Sequence, residues 1–334
     1  MATSSAGVKL TAEGKVMLTP WGEEVKLTPQ GNVPTIKAYK NPDFLGSPIA
    51  RHIRIMCELY EPMKRLDEYG VDNYFCFVGS HMVMHPDDRR KHIADLEALI
   101  KVGGDEEEVA GLLAKLAFTK KVMGMDKYYV MAMELAEKLG NWNKDRVSKG
   151  RSSYHVCTGG GPGIMEAANR GAASTDELTL GFATTRPEWK RLNKYVSEEG
   201  AFEFHYFFMR KFWMAYKCMG LVVLPGGYGS MDELFELLSL LSSKKIQHRL
   251  PIILLGKEHW KKAINFEYLV ECGMLAEEHL KLITFADTVE EAFEILVEQV
   301  HQSDTTGETE LIQKTKRRRL EKHPTNPDKT KPLA

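Results

Sequence analysis

Two segments of the chain combine an apolar run, a glycine-rich turn and a helical pattern, and this combination constrains the fold most. In the second segment, the apolar run 221–224 leads into Pro225-Gly226-Gly227-Tyr228-Gly229-Ser230-Met231-Asp232-Glu233, and apolar residues then recur at helical spacing. We interpret this as a buried strand, a tight turn and a helix. Glycines let the backbone approach a ligand closely, and a helix start offers N–H groups that suit a phosphate.

The same segment has a purely structural interpretation. Ser230 and Glu233 have the spacing of a capping box, in which the serine caps the helix and the glutamate bonds back to it. From the segment alone, a phosphate site with an adjacent acid and a capped helix both remain open.

Strand and helix patterns alternate over about 230 residues, which predicts an α/β fold. The predicted strands are short and apolar without alternation, as expected when both faces of a sheet are covered. We therefore expect a Rossmann-like, doubly wound, mostly parallel sheet with helices on both faces. The predicted strands are 74–78, 153–158, 178–184, 203–208, 221–225, 251–255 and 280–286. The predicted helices are 49–69, 126–139, 164–173, 209–219, 231–243, 259–271 and 288–300, with Gly70 and Gly140 as helix stops.

We divide the chain into three parts. Residues 1–70 are predicted to form an N-terminal arm with short hairpins, from the repeat Leu-Thr-x-x-Gly, followed by a helix. Residues 71–300 are predicted to form the main α/β domain, with a charged helical insertion at about 86–122. Residues 301–334 are predicted to be a disordered basic tail, whose run Lys314-Thr315-Lys316-Arg317-Arg318-Arg319 is either solvated or a nuclear-localisation or nucleic-acid patch.

Composition excludes several function classes. The net charge of −1 gives no general attraction to nucleic acid or to a membrane, and no apolar run approaches the length of a membrane span. The five cysteines are scattered, without zinc-ligand spacing, and we expect no metal and no cofactor. With no signal peptide in view, we expect a cytoplasmic protein with buried, reduced thiols.

The glycine turns are expected to meet. Gly79-Ser80, Gly159 to Gly163 and Gly226 to Ser230 all follow predicted strands, and ligands of open α/β sheets bind at that carboxyl edge. A helix beginning at Met209-Arg210-Lys211 starts at the same edge, where an arginine opposes the helix dipole. Arg210 is therefore a candidate ligand contact, although an ordinary exposed arginine is the alternative. Neither turn fits a P-loop or a dinucleotide fingerprint, which favours a mononucleotide.

These motifs, in this order, resemble the LOG ("Lonely Guy") family of nucleotide phosphoribohydrolases, which includes nucleoside 5′-monophosphate nucleosidases and is often described as "possible lysine decarboxylase". The resemblance rests on 159–172, on Phe207-Phe208-Met209-Arg210-Lys211 and on 225–236. It implies hydrolysis of the N-glycosidic bond of a nucleoside 5′-monophosphate, such as AMP or a cytokinin riboside monophosphate, to free base and ribose 5-phosphate. It also implies a homodimer or a higher homo-oligomer.

The resemblance assigns roles to individual residues. It implies Arg210 and Glu233 as the catalytic pair. Phosphate contacts are implied at Gly160, Gly161, Gly163, Gly227, Gly229 and Ser230, and we add Ser80, Glu166, Lys211 and Gly226 as substrate-binding residues. The chemistry agrees, because a carboxylate stabilises the positive charge that develops on the ribose, while the 5′-phosphate supplies remote binding energy. Arg210 would bind phosphate or polarise the departing base.

One departure from the family pattern keeps an alternative open. Where the family often has Gly-Ser-Ala-Arg, this chain has Gly79-Ser80-His81-Met82. Loss of that arginine favours a non-catalytic nucleotide or cofactor carrier on the same fold, whereas retention of Arg210 and Glu233 favours the enzyme. Lysine decarboxylation is the weakest alternative, because no lysine has a recognisable context for a pyridoxal phosphate Schiff base.

Overall fold

The structure, a computed structural model, describes residues 36–184 and 192–305 in full and the backbone of three short strands before them. The chain divides into two units, Met1–Pro62 and Met63–Ala334. In the first unit, β1 (Val8–Thr11), β2 (Gly14–Leu18) and β3 (Glu24–Lys26) form an antiparallel sheet, in agreement with the predicted hairpins. Helix α1 (Pro42–Gly46) follows, and α2 (Arg51–Glu68) crosses the division between the units.

The second unit is built on a seven-stranded, all-parallel sheet. Its order is β10-β9-β8-β4-β5-β6-β7, and every neighbouring pair is parallel. The strands are β4 (Asn73–Val78), β5 (Tyr154–Thr158), β6 (Thr179–Thr184), β7 (Ala201–Phe204), β8 (Cys218–Val223), β9 (Ile252–Leu255) and β10 (Ile283–Ala286). The predicted Rossmann-like, doubly wound fold is confirmed. The chain proceeds outward from β4 to β7 and then returns to β8, so the order reverses between β4 and β8.

Helices connect these strands. They are α3 (Pro86–Val102), α4 (Glu106–Val122), α5 (Lys127–Ser148), α6 (Ile164–Ala173), α7 (Phe207–Tyr216), α8 (Tyr228–Ser242), α9 (Lys257–Ala263), α10 (Phe266–Glu271) and α11 (Val289–Thr305). The predicted insertion is thus a pair of helices, α3 and α4, separated at Gly103 and Gly104. The disordered basic tail is predicted from residue 301, but α11 continues to Thr305; the rest of the predicted tail, 306–334, lies outside the described residues.

The core lies on both faces of the central strands. Every residue of β4, β5, β8 and β9 is buried, as the non-alternating apolar runs predict. Trp260 and Trp213 are among the largest fully buried side chains, and the Trp260 indole donates a hydrogen bond to the Val223 carbonyl. The end of β8, where the second glycine turn begins, is thereby held in place by a side chain of α9.

Gly140 does not end a helix, contrary to the prediction, because α5 continues to Ser148. A Cβ at Gly140 would lie 2.3 Å from Thr175 Oγ1, and a Cβ at Gly171 would lie 1.9 Å from the Met133 carbonyl oxygen. Both glycines therefore let α5 and α6 approach closely. A single sequence shows the glycine but not the neighbour that requires it.

Three other element boundaries differ from the prediction. Helix α7 begins at Phe207, so the predicted strand 203–208 is the shorter β7. The predicted helix 259–271 is two helices, because the Asn265 side chain accepts a hydrogen bond from the Tyr268 N–H and starts a new one. The structure places a 3-10 turn at Glu277–Leu282, before β10.

The cysteines are free thiols. Cys76, Cys157 and Cys218 are buried, whereas Cys57 and Cys272 are exposed. Within the described residues no group of three or more histidine, cysteine or acidic side chains is arranged to hold a metal ion. In the same part of the chain, no helix has the length and apolarity needed to cross a bilayer.

Candidate active site

The site is built where the strand order reverses, between β4 and β8. Two backbone hydrogen bonds join the three turns that follow β4, β5 and β8. The Ser80 N–H donates to the Pro225 carbonyl at 2.9 Å, and the Ile164 N–H donates to the Ser80 carbonyl at 3.0 Å. The expected meeting of the turns is therefore observed, at the position where open α/β sheets bind ligands.

Two glycines are required for these turns to come together. Gly163 has φ of 75°, and a Cβ there would lie 2.3 Å from the Ser80 carbonyl oxygen. A Cβ at Gly226 would lie 2.2 Å from Ser230 Oγ and 3.1 Å from the carbonyl carbon of Gly79, in the turn after β4. Any larger residue at either position would push the turns apart.

The start of α8 is open and is not a capping box. The helix begins at Tyr228 after Gly227, which has no side-chain cap, so Ser230 already lies within the first turn. The Glu233 carboxylate bonds to Arg210. A Cβ at Gly227 or at Gly229 would meet no atom within 4 Å, and this uncovered helix start is the feature that a phosphate would need.

Arg210 and Glu233 form a buried ion pair. Arg210 Nη2 lies 2.6 Å from Glu233 Oε1, and the two side chains are only 12% and 7% exposed. The guanidinium also contacts the Phe207 ring, 4.6 Å from its centroid, and its Nη1 lies 3.9 Å from the position of a Cβ at Gly159. Arg210 therefore lies between the first glycine turn and the acid on α8.

Two opposing effects act on the pKa of the Glu233 carboxyl group. Burial raises the pKa of Glu233, and the Arg210 charge and hydrogen bond partly offset that effect. Arg210 Nε is buried and has no hydrogen-bond partner among the described residues. The guanidinium therefore keeps hydrogen-bonding capacity beyond its bond to Glu233.

Lys211 and Glu166 have other partners in this structure. Lys211 Nζ lies 2.9 Å from Asp232 and 3.3 Å from Glu236. Although burial lowers the pKa of Lys211, these two carboxylates raise it overall. Glu166, in the first turn of α6, accepts a hydrogen bond of 3.4 Å from the Tyr129 hydroxyl.

Two asparagines, absent from the sequence-based site, hold the first glycine turn. The Asn193 N–H donates to the Gly160 carbonyl at 2.8 Å, and its side-chain amide donates to the Gly161 carbonyl at 3.1 Å. Asn169 Oδ1 accepts from Thr158 Oγ1 and from the Asn193 amide. Asn169 lies within the resemblance, but no motif marks Asn193.

A buried ion pair holds the turn after β4. Arg89 bonds Asp126 through Nε at 2.8 Å and through Nη2 at 2.9 Å, and Nη2 also donates to the Met82 carbonyl. Asp126 accepts in addition from the Met84 N–H. Both residues flank segments that the sequence shows only as charged and helical, so their pairing was not predictable. The Met82 side chain, at the position of the family's arginine, is 40% exposed.

A separate cleft lies at the opposite edge of the sheet. It has a volume of about 860 Å³ and is lined by the end of α8, the starts of β9 and β10 and the end of α11. Its cations include Lys244, Arg249 and Lys281, near the carbonyl ends of two helices, where positive charge is stabilising. This cleft contains none of the glycine turns. We therefore place the candidate active site at the carboxyl edge of the sheet, where those turns meet.

Comparison with known proteins identifies a family over part of the chain. Residues 165–296 match the model of the family described as "Possible lysine decarboxylase". This part of the chain belongs to the LOG family. The matched segment contains Glu166, Arg210, Lys211 and the whole second glycine turn. No curated protein matches the chain at a significant level.

Solved structures similar to this chain include two molybdenum-cofactor proteins. The molybdenum cofactor carrier protein of Chlamydomonas reinhardtii is 16% identical, with a TM-score of 0.40, over 69% of this chain and 99% of its own. The molybdenum cofactor binding protein of Rippkaea orientalis is 17% identical, with a TM-score of 0.35, over 51% of this chain and 88% of its own.

Proposed function

We propose that the protein hydrolyses the N-glycosidic bond of a nucleoside 5′-monophosphate, giving free base and ribose 5-phosphate. The observation that carries the proposal is the buried Arg210–Glu233 pair, 2.6 Å apart, beside the glycine turns at the strand-order reversal. It supports a site with a phosphate-binding helix start and an acid next to the sugar.

Each group has a distinct task in this reaction. The open start of α8, at Gly227 to Ser230, binds the 5′-phosphate and fixes the ribose, supplying binding energy away from the bond that breaks. The Glu233 carboxylate stabilises the positive charge that develops on the ribose and orients the attacking water. Arg210 favours the charged form of Glu233, partly opposing the effect of burial, and donates to the phosphate or the departing base. We further propose a cytoplasmic homo-oligomer that needs no cofactor.

Substitution of Glu233 by glutamine tests the proposal. Glutamine keeps the volume of the side chain and a hydrogen bond to Arg210 but removes the negative charge. We expect release of base to fall by about 100-fold or more, with nucleotide affinity kept within a few-fold. The measurement is chromatography of AMP, an N6-substituted AMP and the pyrimidine monophosphates after incubation with each protein, together with calorimetric binding. Glu294→Gln, which removes an exposed carboxylate of α11, is the matched control.

A nucleotide or cofactor carrier is the alternative function, favoured by a single observation, Met82 at the position of the family's arginine. If the wild-type protein binds monophosphates and cleaves none of them, the carrier function replaces the hydrolase. If it cleaves them and Glu233→Gln cleaves equally fast, the assignment of Glu233 is wrong. Lysine decarboxylation would require a pyridoxal phosphate absorbance band in the purified protein.

A further inference from the structure

Helix α4 is apolar on two opposite faces. One face is buried or half-buried and packs beside α3: Val109, Leu112, Leu116 and Thr119. The opposite face is exposed: Ala110, Ala114, Ala117 and Phe118 lie within about 60° of Ala114 around the helix, and Leu113 borders them at about 100°. On it, Leu113 is 50% exposed and Phe118 is 48% exposed. We call this exposed set the outer face of α4.

The outer face carries charges of opposite sign at its two ends. Glu107, in the first turn, and Lys121, in the last turn, lie on the same side of the helix as Ala114, and both are exposed. They are seven residues before and seven residues after Ala114, so that about 10 Å of helix separates each of them from it. The face is therefore apolar in the middle, acidic at the start and basic at the end.

This arrangement is self-complementary about Ala114. If a second copy of α4 packs antiparallel with Ala114 on the twofold axis, Glu107 of each copy faces Lys121 of the other. In the same register Ala110 faces Phe118, so a small residue receives a large one at each end of the contact. A parallel arrangement would instead place Glu107 against Glu107.

We propose that the outer face of α4 docks on the same face of a second copy of this chain, in an antiparallel pair centred on Ala114. The two α3–α4 pairs then form a four-helix bundle, which buries Phe118 and the alanines of the outer face in both copies and has Leu113 at its border. This contact is independent of the proposed reaction, because it uses the helical insertion and none of the residues of the candidate active site.

The helix dipole offers a competing explanation of the charges, since acids at a helix start and bases at its end also stabilise an isolated helix. The two explanations differ in what charge reversal does to the mass of the particle. The dipole predicts a small change in helix stability at unchanged mass. The antiparallel pair predicts that either reversal alone brings like charges together twice and breaks the contact.

The test is the mass of the full-length chain in solution, by light scattering after size exclusion, at matched concentration and low salt. We expect Glu107→Lys and Lys121→Glu each to have half the mass of the wild type. An equimolar mixture of the two should recover the wild-type mass, because each pairs with the other in the antiparallel register, and the double variant should recover it alone. Glu108→Lys, about 120° around the same helix from Ala114, should keep the wild-type mass.

Cross-linking checks the register. In a background with the exposed Cys57 and Cys272 changed to serine, Ala114→Cys should give a covalent dimer with a short bis-maleimide. Ala263→Cys, an equally exposed alanine in α9, should not. A monomeric wild type, single reversals of unchanged mass, or singles that dissociate but are not restored by mixing would each overturn the proposal.

Discussion

At the residue scale, Glu233 is subject to two opposing influences. Burial raises the pKa of its carboxyl above the ordinary 4.5, and the Arg210 charge only partly opposes this. Folded protein therefore keeps this proton at pH values where the unfolded chain has released it. Because the unfolded state then binds fewer protons, the free energy of unfolding decreases as pH rises through that interval. The position of Glu233 is thus suited to chemistry rather than to stability.

The wild type should accordingly lose stability, relative to Glu233→Gln, as the pH rises from below 4.5 towards neutrality. Urea unfolding of both proteins at constant ionic strength, at pH values across this range, gives the difference directly. Glu294→Gln, an exposed residue of α11, controls for the loss of a surface carboxylate. A difference that stays constant or grows with pH would show that burial does not raise the pKa of Glu233.

Met82 gives a second prediction at this scale. Arginine at this exposed position, in the turn after β4, would add a cation beside the glycine turns. A charge-assisted hydrogen bond to phosphate contributes about 1.5–3 kcal/mol, so we expect Met82→Arg to lower the dissociation constant for AMP about tenfold or more. The gain should shrink with added salt, and Met82→Gln should show none. Equal affinities for all three proteins would place residue 82 away from the phosphate.

At the scale of elements, the helical glycines are of two kinds. Some are required because a neighbouring element packs closely against them, and others only lower the stability of the helix. Gly171→Ala would place a Cβ 1.9 Å from the Met133 carbonyl oxygen and force α5 and α6 apart, which we expect to cost about 1–3 kcal/mol of stability. Gly111→Ala in α4 meets no atom within 4 Å and should instead stabilise the protein by about 0.5–1 kcal/mol. Thermal or urea unfolding of the two variants tests the opposite signs. A gain from Gly171→Ala would contradict the packing role.

Features that depend on local sequence could be predicted, whereas features that depend on contacts between distant residues could not. The order of strands and helices and the meeting of the glycine turns follow from local periodicity and from the rule that parallel strands end at one edge. The close approach at Gly140, the capping by Asn265 and the bonds from Asn193 depend on residues distant in sequence or on side-chain geometry. The resemblance predicted Arg210 and Glu233 as a pair, whereas nothing in one sequence pairs Arg89 with Asp126.

At the scale of the whole molecule, the reactivity of three buried cysteines on the central strands measures how often the fold opens. Cys76, Cys157 and Cys218 lie on three neighbouring strands, β4, β5 and β8, and burial raises the pKa of each thiol. Thiolate is the reactive form, so a disulfide reagent should modify only Cys57 and Cys272 in the native protein and all five cysteines in denaturant. Reaction of the buried three requires opening of the sheet beside the candidate active site.

This coupling provides a test of nucleotide binding that does not depend on turnover. In Glu233→Gln with Cys57 and Cys272 replaced by serine, AMP at 100 times its dissociation constant should slow modification of the buried thiols about 100-fold, because a ligand that binds only the folded state stabilises it by about 2.7 kcal/mol. Adenosine, which lacks the phosphate, is the matched control and should protect much less at equal concentration. Protection by AMP and adenosine alike would locate binding energy at the base rather than at the glycine turns. Absence of protection, with binding shown by calorimetry, would place the nucleotide away from the edge where β4, β5 and β8 end.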